Sequence, residues 1–167
     1  NSIIGSEPNT TRDKISTVIE INNKQITISD LPGFDENPDN FNKAFQDNFQ
    51  HLLEDAGRVL FVIDINSKNF TGLDKINNLL QINNVVDKVT TVFNKCENFN
   101  DYDLDKRMFK YIYGREIYIS GFHKIGTDEL LDDLIKYSGV ERSGDLNSKN
   151  AISIIGKPNS GKSTLFN

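Results

Sequence analysis

The stretch Gly156-Lys157-Pro158-Asn159-Ser160-Gly161-Lys162-Ser163 follows the apolar run Ala151-Ile152-Ser153-Ile154-Ile155 and leads into Ser163-Thr164-Leu165-Phe166. It matches G-x-x-x-x-G-K-[ST], with the strand before and the helix start after that this pattern requires. Glycines let backbone N–H groups turn inward around phosphates, and a helix N-terminus adds its dipole. Lys162 is placed to neutralise the β- and γ-phosphates as a catalytic residue, and the Ser163 hydroxyl to bind magnesium. The candidate nucleotide-binding residues here are Gly156, Asn159, Ser160, Gly161, Lys162, Ser163 and Thr164. The competing explanation, a Gly/Ser-rich turn with a chance lysine, does not account for the flanking pattern.

Working outward, residues 14–21 and 25–29 are alternating and rich in β-branched side chains, with Asn22-Asn23-Lys24 between them, so they predict a β-hairpin. Pro32, Gly33 and Pro38 mark residues 31–40 as a loop. Helical spacing of Phe45, Phe49, Leu52 and Leu53 predicts a helix over 41–54. Val59-Leu60-Phe61-Val62-Ile63 predicts a strand buried on both faces, within 58–65. Helices are then expected over 73–82, 103–113 and 127–137, and strands over 88–93, 116–119 and 151–155. This alternation implies an α/β fold with a mostly parallel sheet, the hairpin supplying one antiparallel edge strand.

Three further motifs each follow a strand. Asp30-Leu31-Pro32-Gly33 places an acid that can hold a magnesium shell through water, and a glycine whose N–H can face the γ-phosphate. Asn94-Lys95-Cys96-Glu97 ends with a carboxylate that can accept from the guanine ring N–H and exocyclic amine, with Asn94 and Lys95 bracing the loop. Ser120-Gly121 can offer a backbone N–H to the guanine oxygen. Alone, Asp30-Leu31-Pro32-Gly33 reads equally well as an ordinary strand-to-turn exit, and Asn94-Lys95-Cys96-Glu97 also reads as a polar strand exit. Together with the phosphate loop they form the motif set of the guanine-nucleotide-binding GTPases, a P-loop NTPase fold of the Ras-like kind.

More of the chain resembles one branch of that set. Thr10-Thr11-Arg12-Asp13 is similar to the T-T-R-D switch segment of the TrmE/Era/Der group. Ser120-Gly121-Phe122-His123-Lys124-Ile125-Gly126, followed by Glu129-Leu130-Leu131-Asp132, resembles the end of a first GTPase domain in the Der (EngA) family. Leu31-Pro32-Gly33-Phe34-Asp35-Glu36-Asn37-Pro38 resembles that family's second switch. The resemblance implies a GTPase taking GTP or GDP with magnesium. It adds Thr11 to Ser163 and Asp30 as magnesium residues, makes Gly33 catalytic beside Lys162, and suggests potassium at Asn159. It also implies that the intact protein, in the cytoplasm, works on the large ribosomal subunit. Two departures stand out: Glu97 replaces the usual Asp of N-K-x-D, and Phe34 stands where Ras-like enzymes carry a water-orienting Gln.

The order of motifs is unusual, because the phosphate loop is displaced to the C-terminus. The family carries two GTPase domains in tandem. The preferred division is therefore 1–137 as a first GTPase domain lacking its phosphate loop, 138–149 as a linker, and 150–167 as the strand and phosphate loop opening a second domain. The alternative is a circular permutant, in which 150–167 is the start of the same domain. A further alternative is a fragment that binds nucleotide without turnover, or is inert.

Bulk properties narrow the functional classes. A net charge of −5 over 167 residues argues against direct nucleic-acid binding by this segment. The single cysteine, Cys96, cannot form an internal disulfide and suits a reducing compartment. No apolar run is long enough for a membrane span. Lack of N-K-x-[acid] would have favoured a P-loop ATPase or kinase, and this chain has that motif.

Overall fold

The computed structural model describes residues 15–21, 24–30, 49–53, 55–98, 104–138 and 151–166. Strands β1 (Ile15–Ile21) and β2 (Lys24–Asp30) pair antiparallel, with Ile15 opposite Asp30 and Ile21 opposite Lys24. The remaining strands are β3 (Arg58–Asp64), β4 (Val89–Asn94), β5 (Arg115–Tyr118) and β6 (Ala151–Gly156). The six lie in one sheet in the order β1-β2-β6-β3-β4-β5. All pairings after β1·β2 are parallel. The expected mostly parallel α/β sheet with one antiparallel edge is therefore what the chain forms.

β6, the last strand in sequence, occupies the centre. It pairs with β2 through Thr27 opposite Ala151 and Asp30 opposite Ile154. On its other side Arg58 lies opposite Ile152 and Val62 opposite Gly156. Residues Ile152 to Gly156 are all buried, as a central strand between two covered faces requires.

Period-two alternation divides the core. Val59, Phe61 and Ile63 of β3 point to one face, where Phe49, Leu53, Leu73, Ile76, Leu80, Met108 and Tyr111 cover them. Leu60 and Val62 point to the other, packing with Ile28, Val92, Ile117, Ile152, Ile154, Leu130 and Leu134. The first face is covered by helical residues 49–53, by α1 (Thr71–Ile82) and by a 3₁₀ helix, Lys106–Tyr111. The second is covered by α2 (Thr127–Ser138), whose Leu130 and Leu134 are one helical turn apart.

The expected helix over 103–113 is a correction. Of that span the described residues are 104–113, and among them only Lys106–Tyr111 is helical, as a 3₁₀ turn. Its two buried side chains, Met108 and Tyr111, are three positions apart, the repeat of a 3₁₀ helix. The Asp105 carboxylate accepts from the Arg107 N–H and caps the start. Thr91 Oγ1 donates to the Tyr111 carbonyl at 2.6 Å, which pulls the chain end onto β4 instead of letting a longer helix continue.

Candidate functional site

Because β2, β6, β3, β4 and β5 run parallel, their C-terminal ends share one edge of the sheet, where ligands of open α/β folds bind. Asp30 ends β2, Gly156 ends β6, Asp64 ends β3 and Asn94 ends β4, with Ser120 two residues past β5. Four motifs separated by up to 126 residues of sequence thus reach the same rim.

The phosphate loop leaves β6 at Gly156. A methyl group there would overlap the Val62 carbonyl oxygen and crowd Ser160 Oγ. Asn159 and Gly161 both have positive φ, 63° and 91°, which reverses the loop. At Gly161 a side chain would also run into the Asn94 carboxamide. Residues Ser163–Phe166 follow as a 3₁₀ turn, with Thr164 N–H donating to the Gly161 carbonyl and Leu165 N–H to the Lys162 carbonyl. Ser163 and Thr164 are exposed.

Lys162 is buried, and its Nζ donates to the carbonyls of Gly156 at 3.0 Å and Lys157 at 2.9 Å. Burial lowers its pKa from the usual lysine value, opposed by the charge of Asp30. Asp30 is the counterpart: burial raises its carboxyl pKa, opposed by Lys162. Asp30 Oδ1 and Ser160 Oγ are buried without hydrogen-bond partners among the described residues. An unpartnered acid oxygen at this edge is the hard donor type that a hydrated divalent cation takes, and the inward-turned loop with its buried lysine fits polyphosphate.

Asn94 connects the two halves of the site. Its Nδ2 donates to the Ser160 carbonyl at 2.8 Å, and its Oδ1 accepts from the Gly121 N–H at 3.0 Å. One carboxamide therefore joins the phosphate loop, the strand end before Glu97 and the Ser120-Gly121 turn. Ser120 is held by reciprocal backbone bonds with Ile125. Lys95 has φ of 68°, and its Nζ donates to Asp64 Oδ2 at 2.6 Å. Glu97 is exposed at the outer rim, with Oε1 3.5 Å from His123 Nε2.

The structure brings together Gly156, Asn159, Ser160, Gly161, Lys162, Ser163, Thr164, Asp30, Asn94, Lys95, Glu97, Ser120 and Gly121 along this edge. Thr11 and Gly33 lie outside the described residues, as do Arg12 and Phe34. A cavity of about 340 Å³ lies on the α2 side of the sheet, lined mainly by apolar side chains such as Ile28, Leu60, Leu134 and Ile154, and reaching the site residues Gly121 and Thr164. Its apolar lining is not the chemistry of a phosphate seat. Cys96, which the sequence suggests is a small residue at the loop edge, is fully buried, and burial pushes its thiol up to about 11. The sequence reading also missed Asp64. Nothing along the chain marks it: it ends an apolar strand, and only the pairing of β3 with β4 makes it the register partner of Asn94.

Residues 1–95 match the family model described as 50S ribosome-binding GTPase. The chain belongs to this GTPase family. Proteins named GTPase Der are similar along almost all of it. The Thermotoga sp. (strain RQ2) protein is 32% identical over 177 residues, covering 99% of this chain and 39% of that protein. The Trichodesmium erythraeum protein is 31% identical over 170 residues, covering 100% and 37%. The Rickettsia bellii (strain OSU 85-389) protein is 28% identical over 173 residues, covering 99% and 37%. The chain thus spans less than two fifths of the length of these relatives. Among the described residues no helix is long and apolar enough to cross a membrane.

Proposed function

We propose that the chain binds GTP or GDP with magnesium along the C-terminal edge of its parallel strands, and that the intact protein hydrolyses GTP by in-line attack of water on the γ-phosphate. The observation that carries this reading is the Asn94 carboxamide, which bonds the phosphate loop at Ser160 and the base side at Gly121. In this reading the loop N–H groups and Lys162 hold the phosphates, and Glu97 accepts from the guanine ring. The Gly121 N–H, which donates to Asn94 Oδ1, would turn to the guanine oxygen when the base binds, and the Gly33 N–H would face the γ-phosphate. Ser163, Thr11 and Asp30 would hold magnesium, which when bound neutralises charge on the phosphate oxygens. Asn159 offers a neutral oxygen for potassium, since magnesium demands a tighter octahedral set. Catalysis by these residues is positioning and charge stabilisation.

For the intact protein we infer tandem GTPase domains, with 1–137 in the first, 138–149 as linker and 150–167 opening the second. The support is similarity to GTPase Der that covers 99% of the chain with its phosphate loop at the end. The second reading, with 150–167 completing the same domain, is favoured by one specific observation: β6 pairs between β2 and β3 at the centre of the sheet. The two readings exclude each other for the intact protein, because the tandem one assigns Lys162 and Glu97 to different sites; a second phosphate loop encoded ahead of residue 1 would decide for it. Work on the large ribosomal subunit, in the cytoplasm, is proposed from the family and from the Der resemblance.

Thermal unfolding tests the binding proposal. With magnesium and GTP at a hundredfold excess over Kd, linkage adds about 2.7 kcal/mol, which raises the midpoint by roughly 5–10 °C. ATP at equal concentration leaves it unchanged. Equal shifts with both nucleotides, or none with GTP, contradict the proposal. Turnover by a complete Asn159-bearing domain of the intact protein, in matched potassium and sodium chloride, tests the ion. Faster hydrolysis in potassium is expected, and equal rates remove Asn159 from that role.

A further inference from the structure

We propose that Asp64 is a positioning residue for guanine recognition, acting through Lys95 on the loop that carries Glu97; this rests on the guanine-binding reading. The Asp64 carboxylate is committed on both oxygens. Oδ1 accepts from the Asn66 N–H at 2.9 Å, and Oδ2 accepts from Lys95 Nζ at 2.6 Å. The first bond fixes the exit turn of β3, so the carboxylate is held on a rigid strand end. The second ties that strand end to the neighbouring loop.

The loop needs such a tie. Lys95 adopts φ of 68°, a left-handed conformation that is unfavourable for a residue with a Cβ. On one side of it Asn94 is pinned by its two carboxamide bonds. On the other, Cys96 is fully buried and its N–H donates to the Ile119 carbonyl at 2.9 Å. Lys95 is the reversal between these pins, and its ammonium is drawn back over the β3 end by Asp64. Glu97 follows immediately and is exposed, so its direction is inherited from the three residues before it. Asp64 therefore influences the base reader without facing the base. The pair is only partly shielded, with Lys95 and Asp64 side chains 43% and 25% exposed, so solvent screening limits its strength.

The test uses the full 167-residue chain with Asp64→Ala, Asp64→Asn, Lys95→Ala and the Asp64→Ala/Lys95→Ala double variant. Each is titrated with GTP and with inorganic tripolyphosphate, both with magnesium. Asp64→Ala is expected to weaken GTP about fivefold, the size of a partly exposed ion pair. Tripolyphosphate affinity should stay unchanged, because the phosphate loop does not depend on this pair. In the Lys95→Ala background, Asp64→Ala should add less than about twofold, since coupled residues are not additive. Asp64→Asn, which keeps an oxygen for Asn66 and loses the charge, should fall between. Equal losses for GTP and tripolyphosphate would mean a general structural effect and overturn the proposal, as would additive losses or no loss. If the unsubstituted chain binds tripolyphosphate but not GTP, the guanine reading itself fails. Amide exchange then decides the bracing separately: Asp64→Ala must accelerate exchange at Cys96 N–H while Ile63 N–H keeps its protection, and unchanged exchange at Cys96 overturns it.

Discussion

The phosphate end and the base end of the site are built by different means. Around Gly156 and Gly161 the backbone is fixed by sterics: a Cβ at either position meets a carbonyl or the Asn94 carboxamide, and Gly161 sits at φ of 91°. Around Glu97 the loop is held by polar side chains, through Asn94, the Asp64–Lys95 ion pair and the His123 contact at 3.5 Å. A steric constraint admits one residue type and tolerates nothing else. A polar constraint is graded, and can be weakened by a charge change or by salt. The phosphate end should therefore fail abruptly and the base end by degrees.

Gly161→Ala is the hardest break. A left-handed alanine together with a clash against a buried carboxamide costs about 2–4 kcal/mol. The denaturant midpoint should fall accordingly, and calorimetric titration should show no nucleotide binding. Normal binding by Gly161→Ala would mean the loop is not sterically fixed. At the base end Glu97→Ala should cost on the order of 2 kcal/mol in GTP affinity, through loss of a charge-assisted pair of hydrogen bonds. Competition among GTP, ATP and xanthosine triphosphate measures this, and an unchanged preference for GTP removes Glu97 as base reader.

Asp30→Asn has the smallest expected effect and the opposite sign in stability. Burial raises the Asp30 carboxyl pKa, so the folded chain holds its proton more tightly than the unfolded chain does. The stabilising effect of that proton is present below the unfolded carboxyl pKa, near 3.9, and is lost as pH rises through the raised folded value. At neutral pH the ionised group is then a net burden on the nucleotide-free fold. Asp30→Asn should raise the unfolding midpoint slightly at pH 7, and that gain should vanish in acid. The same substitution should weaken the magnesium-dependent part of GTP binding. A lower midpoint at pH 7 would show that attraction to Lys162 outweighs burial.

The same contrast explains what could be read from the sequence. Gly156, Gly161, Lys162 and Ser163 were legible because their backbone geometry restricts residue types at fixed spacing. The strands were legible because β-branched runs such as Val59–Ile63 admit few other fates. Asp64 was not legible, because its partner Lys95 is 31 residues away and only the parallel register of β3 and β4 brings them together. The seat of β6 was also hidden, since strand order depends on pairing across the sheet and not on order along the chain. The 3₁₀ turn at Lys106–Tyr111 was read as a longer helix, because apolar residues three apart fit both periods over so short a stretch.

The central claim is that one site spans both ends, joined at Asn94. Calorimetric titration of GTP with magnesium into the unsubstituted chain, Lys162→Ala and Glu97→Ala tests it most directly. The account predicts a single one-to-one event in the unsubstituted chain, abolished by Lys162→Ala, and weakened by Glu97→Ala with loss of preference for GTP over ATP. Retention of guanine-selective binding by Lys162→Ala would contradict it, because the base end would then be working without the phosphate end.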